Sequence, residues 1–168
     1  SVYITDVAAW CGISFGGYSD ANPLIYAHNL YVNGVLVTNL VIPDSVTSIG
    51  WGVFHNCTSL ESVTIPDSVT EIGEYAFYGC TALEEVVMGS GVSFINNAAF
   101  LDCASLKTVE FSKTTECYRI LSSAFENTGL EEVELPSSLV YVYENAFYNS
   151  KLTKIRIPAS VELIEDNA

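Results

Sequence analysis

The sequence predicts a β/α solenoid in which short coils of chain stack on one another and share a parallel β-sheet. Three observations predict it. Phe54, Phe77 and Phe100 recur at a step of 23 residues, and Phe125 and Phe147 continue the series at steps of 25 and 22. Cys57, Cys80 and Cys103 keep the same 23-residue step, three residues after each Phe. Two apolar series run in phase with them: Leu60, Leu83, Leu106, Leu130 and Leu152, and Ile42, Ile65, Met88, Phe111, Leu135 and Ile157. Self-similarity at a fixed period of this size is the signature of a repeat architecture.

Each unit can be justified in chain order from the one that begins at Leu60. Val63, Thr64 and Ile65 alternate apolar and polar residues, the period of a half-buried strand. Pro66 ends the strand, because proline has no N–H to extend a ladder. Val69 and Ile72 anchor a second short extended piece, and Gly73 marks the corner after it. The stretch 74–80 is read as one helical or 3-10 turn that points Ala76, Phe77 and Cys80 inward. Roughly eight apolar residues per unit cannot close a core alone, so each coil must be covered by the next, with strands about 4.8 Å apart.

The unit L-x-x-V-x-I-P-x-S-V-x-x-I-G-x-x-A-F-x-x-C, as it stands at 60–80, resembles the BspA-like leucine-rich repeat. Residues 36–168 follow it. The resemblance implies a leucine-rich-repeat-type β/α solenoid, a right-handed superhelix with a parallel β-sheet face, short strands and single helical or 3-10 turns per repeat. It also implies a surface-exposed or secreted protein, since some members act in adhesion to host proteins or to other cells. Two units depart from the pattern. The stretch from Met88 to Gly91 lacks the proline, and the unit from Phe111 to Phe125 is two residues longer, with a bulge expected between Lys113 and Arg119.

Residues 1–35 fit the repeat poorly and are expected to cap the first coil. Asp6 stands where it can cap a short helix through Trp10 and Cys11, and Asn33 with Gly34 suits a two-residue hairpin turn. At the other end, Val142 to Phe147 aligns with Ile164 to Ala168, so the next residue in phase would be a Phe. The expectation is an excerpt of a longer array with its last repeat truncated.

Composition bounds the function. Hydrophobic residues make up 49% of the 168, too many for a disordered chain. No apolar run approaches the roughly 18 residues of a membrane helix. The net charge of −14, from 20 acidic and 6 basic residues, argues against nucleic acid and against anionic membrane surfaces. Basic partners and divalent cations stay open.

No constellation for catalysis stands out. Trp10, Cys11 and Gly12 begin like a thioredoxin-type site, but Ser14 stands where the second cysteine belongs. His28 is a base without a local motif that pairs it to Cys11. The Cys57, Cys80 and Cys103 series reads as an inward ladder of unpaired thiols, Cys117 as the more exposed thiol, and His55 as an exposed coil corner. No calcium loop, zinc spacing or cofactor motif occurs, and the Asn56 sequon is discounted because Cys57 is expected to be buried.

The outward strand positions are the candidate binding surface: Glu84, Glu85, Lys107, Glu110, Glu131, Glu132, Glu134, Lys154 and Arg156. Neighbouring strands would bring Lys107 between Glu84 and Glu131, and Lys154 and Arg156 against Glu132 and Glu134. One reading is a solvated face with cross-coil ion pairs, each contributing about 0–1 kcal/mol. The other is a ligand surface, acidic in the middle and basic at Lys151, Lys154 and Arg156. The expected function is a non-catalytic module that binds extracellular or host proteins. The alternative is a structural spacer that displays another domain of a longer protein.

Overall fold

The computed structural model describes residues 1–15 and 21–168; part of the stretch assigned above to the cap, 16–20, lies outside them. Five full coils and the strands of a sixth stack along one axis. The first strand of each coil is β4 (Asn39–Val41), β6 (Ser62–Ile65), β8 (Glu85–Met88), β10 (Thr108–Phe111), β12 (Glu132–Glu134) and β14 (Lys154–Arg156). The second is β5 (Ser48–Ile49), β7 (Glu71–Ile72), β9 (Phe94–Ile95), β11 (Arg119–Ile120), β13 (Tyr141–Val142) and β15 (Leu163–Ile164).

The second strands form one continuous six-stranded parallel sheet. The first strands do not. They divide into a four-stranded sheet, β4 to β10, and a two-stranded one, β12 with β14. Lys107 N donates to Glu84 O at 2.9 Å and Thr153 N to Glu131 O at 3.0 Å, yet no backbone hydrogen bond joins β10 to β12 among the described residues. This seam falls in the longer unit. Val86 to Ile95 is nine residues and the register-equivalent Val109 to Ile120 is eleven, so the two extra residues lie between β10 and β11. Gly129 then stands in a connection one residue shorter than its counterpart, and β12 is left without its ladder to β10.

Between the second strand and the next coil the structure departs from the helical or 3-10 turn expected of each repeat. Among the described residues both α-helices lie before the repeats. Each coil instead carries two left-handed residues placed two before and two after its Phe, as at Tyr75 (φ 56°) and Gly79 (φ 68°) around Phe77. A right-handed helix cannot run through such residues. The backbone alternates its partners there. Ala76, Tyr78 and Cys80 donate within the coil, to Gly73, Tyr75 and Phe77. Tyr75, Phe77 and Gly79 donate to Asn97, Ala99 and Leu101 of the next coil at 3.1, 2.8 and 2.9 Å. A third inter-coil ladder therefore replaces helix.

The core is one cluster running through the stack. Phe54, Phe77, Phe100, Phe125 and Phe147 form a column with centroid spacings of 5.2, 5.1, 5.2 and 5.5 Å. Val63, Ile65, Val69, Ile72, Ala76 and Cys80 are buried around Phe77, the inward set that the repeat defines. Position three after each Phe is occupied in turn by Cys57, Cys80, Cys103, Thr128 and Ser150. The Sγ of Cys80 donates to the Phe54 carbonyl and that of Cys103 to the Phe77 carbonyl, each at 3.1 Å.

The N-terminal residues build a small unit against the first coil. Strands β1 (Val2–Ile4) and β2 (Leu30–Val32) pair in parallel, and β2 turns through Asn33 and Gly34, both at positive φ, into antiparallel β3 (Val35–Leu36). Helix α1 (Val7–Cys11) is capped by Asp6, whose carboxylate accepts from Ala9 N at 3.0 Å. A second short helix, α2 (Leu24–Ala27), buries Leu24. Trp10 Nε1 donates to Val53 O at 3.1 Å and Asn22 Nδ2 to Gly52 O at 2.6 Å, tying this segment to the first coil.

Candidate functional site

Alternation along β4, β6, β8 and β10 sends every second side chain outward. The register is direct: Ser62 pairs with Glu85 and Glu85 with Thr108, while Thr64 pairs with Val87 and Val87 with Glu110. All nine candidate residues, Glu84, Glu85, Lys107, Glu110, Glu131, Glu132, Glu134, Lys154 and Arg156, are exposed. The stack brings them to one side in two groups, Glu84 to Glu110 before the seam and Glu131 to Arg156 after it.

Only one of the expected charge contacts forms. Lys107 Nζ lies 3.2 Å from Glu84 Oε2, the one ion pair among the described residues. Its expected second partner, Glu131, belongs to a coil that the ladder does not reach. Glu132 and Glu134 stand in register with Lys154 and Arg156 but form no ion pair, so the basic end of the face keeps its charges for solvent or a partner. Both members of the Lys107–Glu84 pair are more than half exposed, and such pairs contribute about 0–1 kcal/mol.

The face is not flat. A groove of about 710 Å³ runs across the strand ends, lined by Val41, Thr64, Val87, Glu110, Phe111 and the acidic Asp44 and Asp67. Beside the seam a second hollow of about 530 Å³ is lined by Phe111, Lys113, Thr115, Glu134, Leu135 and Pro136. Val41, Asp44 and Asp67 were absent from the sequence candidates. Val41 shares one outward register with Thr64, the polar position of the alternating strand, and that pairing is the signal that would have found Val41.

Two side chains are placed otherwise than expected. Cys117 is fully buried, because the longer unit folds inward and clamps it: Ser138 Oγ donates to Thr115 O at 3.1 Å and to Cys117 O at 2.8 Å. Burial pushes its thiol up from 9.0 to about 12. His55 is buried rather than exposed, packed edge-on against Tyr78 at 4.6 Å, and desolvation lowers its pKa. Cys11 is buried too, its thiol raised to about 12 by burial and by Asp6. None of these is a poised nucleophile. No group of three His, Cys, Asp or Glu that could hold a metal occurs among the described residues. Nor is any described helix long and apolar enough to cross a membrane.

A parallel β-solenoid with an in-register outward sheet face and buried repeat anchors defines a repeat protein of the leucine-rich class. The BspA type leucine rich repeat region matches in six copies over residues 27–119 and 114–168, and the chain belongs to that family. Among curated proteins none matches the chain. Of solved structures, the leucine rich repeat protein of T. pallidum, TpLRR, is 31% identical with a TM-score of 0.69, covering 73% of this chain and 59% of its own. A leucine-rich repeat protein from Bacteroides ovatus is 28% identical with a TM-score of 0.67, covering 74% of this chain and 34% of its own. One from Eubacterium ventriosum, 21% identical with a TM-score of 0.54, covers 82% of this chain and 49% of its own and shares the fold. The chain therefore spans well under two thirds of the length of these relatives.

Proposed function

We propose that this chain is a non-catalytic protein-binding or adhesion module of a secreted or cell-surface protein, taking its ligand on the outward sheet face. The observation that carries this reading is the exposure of nine charged side chains on one side of the stack, six on strands paired in register and three, Glu84, Lys107 and Glu131, one residue before their strands. Such a surface can be engaged without ordering the chain first, which lowers the entropic cost of binding. Family membership supports it, since leucine-rich solenoids present extended surfaces built by repetition. The ligand is an extracellular or host protein with basic residues toward Glu131 and Glu132 and acidic ones toward Lys154 and Arg156.

The test is capture of extracellular-matrix and cell-surface proteins on the immobilised chain, followed by the double charge reversal Glu131→Lys and Glu132→Lys. Association should slow markedly and its salt dependence should change. An unaltered binding profile would remove this face. A spacer reading draws on the partial coverage of the longer relatives; it expects no ligand to respond to either charge group.

A further inference from the structure

The six-stranded sheet carries a second surface that the outward charges do not explain. Each of its strands has two residues, and in β5 to β13 the first faces outward while the second is buried. The outward series runs Ser48, Glu71, Phe94, Arg119, Tyr141, Leu163 in direct register. Its middle is aromatic around a cation. The Arg119 guanidinium carbon lies 5.1 Å from the Tyr118 ring centroid and 5.4 Å from that of Tyr141. Phe94 packs edge-on to Tyr118 and Tyr143 lies beside Tyr141.

We propose that this face is a docking site for an extended, carboxylate-bearing segment of another protein, with Arg119 receiving the carboxylate and the tyrosines flanking it. Arg119 is exposed and forms no ion pair or side-chain hydrogen bond among the described residues, although the chain has 20 acidic residues to offer it. Two ring faces hold it in place, so its planar fork is available with less side-chain freedom left to lose. Arg and Tyr are the side chains on which interface energy concentrates.

The backbone beneath is pinned. Tyr118 N donates to Ser93 O at 2.9 Å, and Val140 N and Tyr141 N both donate to Tyr118 O at 3.0 Å. Stacking does not require this pair of side chains, since the equivalent positions of other coils hold Thr70 with Glu71 and Ser93 with Phe94. The departure occurs in the coil whose length also departs from the repeat.

The sign of the partner follows from the local charge. The whole chain, at −14, repels an acidic partner at long range. At physiological ionic strength, however, charges beyond about 8 Å are largely screened, and among the described residues no carboxylate is ion-paired with Arg119 to compete for it. The rings favour a peptide over an acidic sugar. They meet at interplanar angles of 72° and 47° and present edges and clefts, not one flat platform on which a sugar ring could stack.

This inference rests on the reading of the chain as a binding module but uses a different face, so the two fail separately. The experiment pans a displayed library of random dodecapeptides against the whole chain, then measures the enriched peptides on Arg119→Gln, Arg119→Lys and the double reversal at Glu131 and Glu132. Thermal unfolding midpoints serve as the fold control. The expected result is enrichment of Asp- or Glu-containing peptides whose affinity falls about tenfold or more in Arg119→Gln. It should fall less in Arg119→Lys, which keeps the charge but loses the fork, and hold steady in the double reversal. Three results would each overturn the proposal: no acidic enrichment, including no enrichment at all; full affinity in Arg119→Gln; or glucuronate binding that depends on Arg119 while peptides do not bind.

Discussion

Phe77 lies between Phe54 and Phe100 with centroids 5.2 and 5.1 Å away and no exposed surface. Its truncation opens a cavity that ladders on three sides prevent from collapsing. Phe77→Ala should therefore cost about 3–5 kcal/mol, read from the denaturant midpoint. Phe147 has a ring neighbour on one side and 7% exposure, so Phe147→Ala should cost less; the opposite order would contradict the column as a source of stability. The buried thiols make a second prediction. Cys11 and Cys117 are raised by burial from 9.0 to about 12. Above pH 9 the unfolded chain loses thiol protons that the folded chain keeps, so the folded state binds more protons there. This contribution is fully present below pH 9 and is lost as pH rises toward 12. Stability at pH 10 should accordingly fall below that at pH 8, and Cys11→Ala with Cys117→Ala should flatten the decline. Native alkylation at pH 8, followed by mass, should leave both thiols unmodified until denaturant is added.

The coil from Met88 lacks the proline of the coil before it, and its packing shows what takes proline's place. A Cβ on Gly89 would run into the Pro66 carbonyl group and Asp67 N, and one on Gly91 into Asp67 O, all backbone atoms of the preceding coil. Ser90 N also donates to Asp67 Oδ1 at 2.6 Å. The glycines thus let two coils approach at a corner, and Gly89→Ala or Gly91→Ala should each destabilise by about 1–3 kcal/mol, seen as a lower thermal midpoint. Strand positions such as Val63 and Ile65 could be read because a period of two and the recurring Pro marked them. The turn after Gly73 could not, because its left-handed positions hold Tyr75, Ala98 and Ser123 as well as Asn and Gly, residues that carry no common signal for positive φ. Cys117 was misplaced because two extra residues hid its register, and the same insertion concealed the seam. The candidate face was legible as a set of outward positions, whereas its ion pairing was not, since Glu132 and Glu134 stand in register with Lys154 and Arg156 and still form no ion pair.

At the scale of the whole stack, stability is a sum of coil interfaces, and these are unequal. Three ladders join most neighbours, but between β10 and β12 the first is missing while the six-stranded sheet and the turn ladder continue, the latter through Phe100 N to Ala124 O at 2.9 Å and Phe125 N to Ala146 O at 2.8 Å. Burial follows the same gradient. Val63, Val86 and Ile95 are fully covered, whereas Ile155, Ile157, Leu163 and Ile164 in the sixth coil are exposed at 39%, 44%, 41% and 50%. Local opening costs least where few apolar contacts must be broken. Coils five and six should therefore open together ahead of the rest, with the boundary at the seam and not at an arbitrary coil. Native-state hydrogen exchange tests this directly. Amides of β12 and β14 should exchange by a sub-global opening at lower free energy than those of β6 and β8, with β10 grouped with the slow set. Equal protection on both sides of the seam would mean that the two intact ladders suffice to make the stack a single cooperative unit.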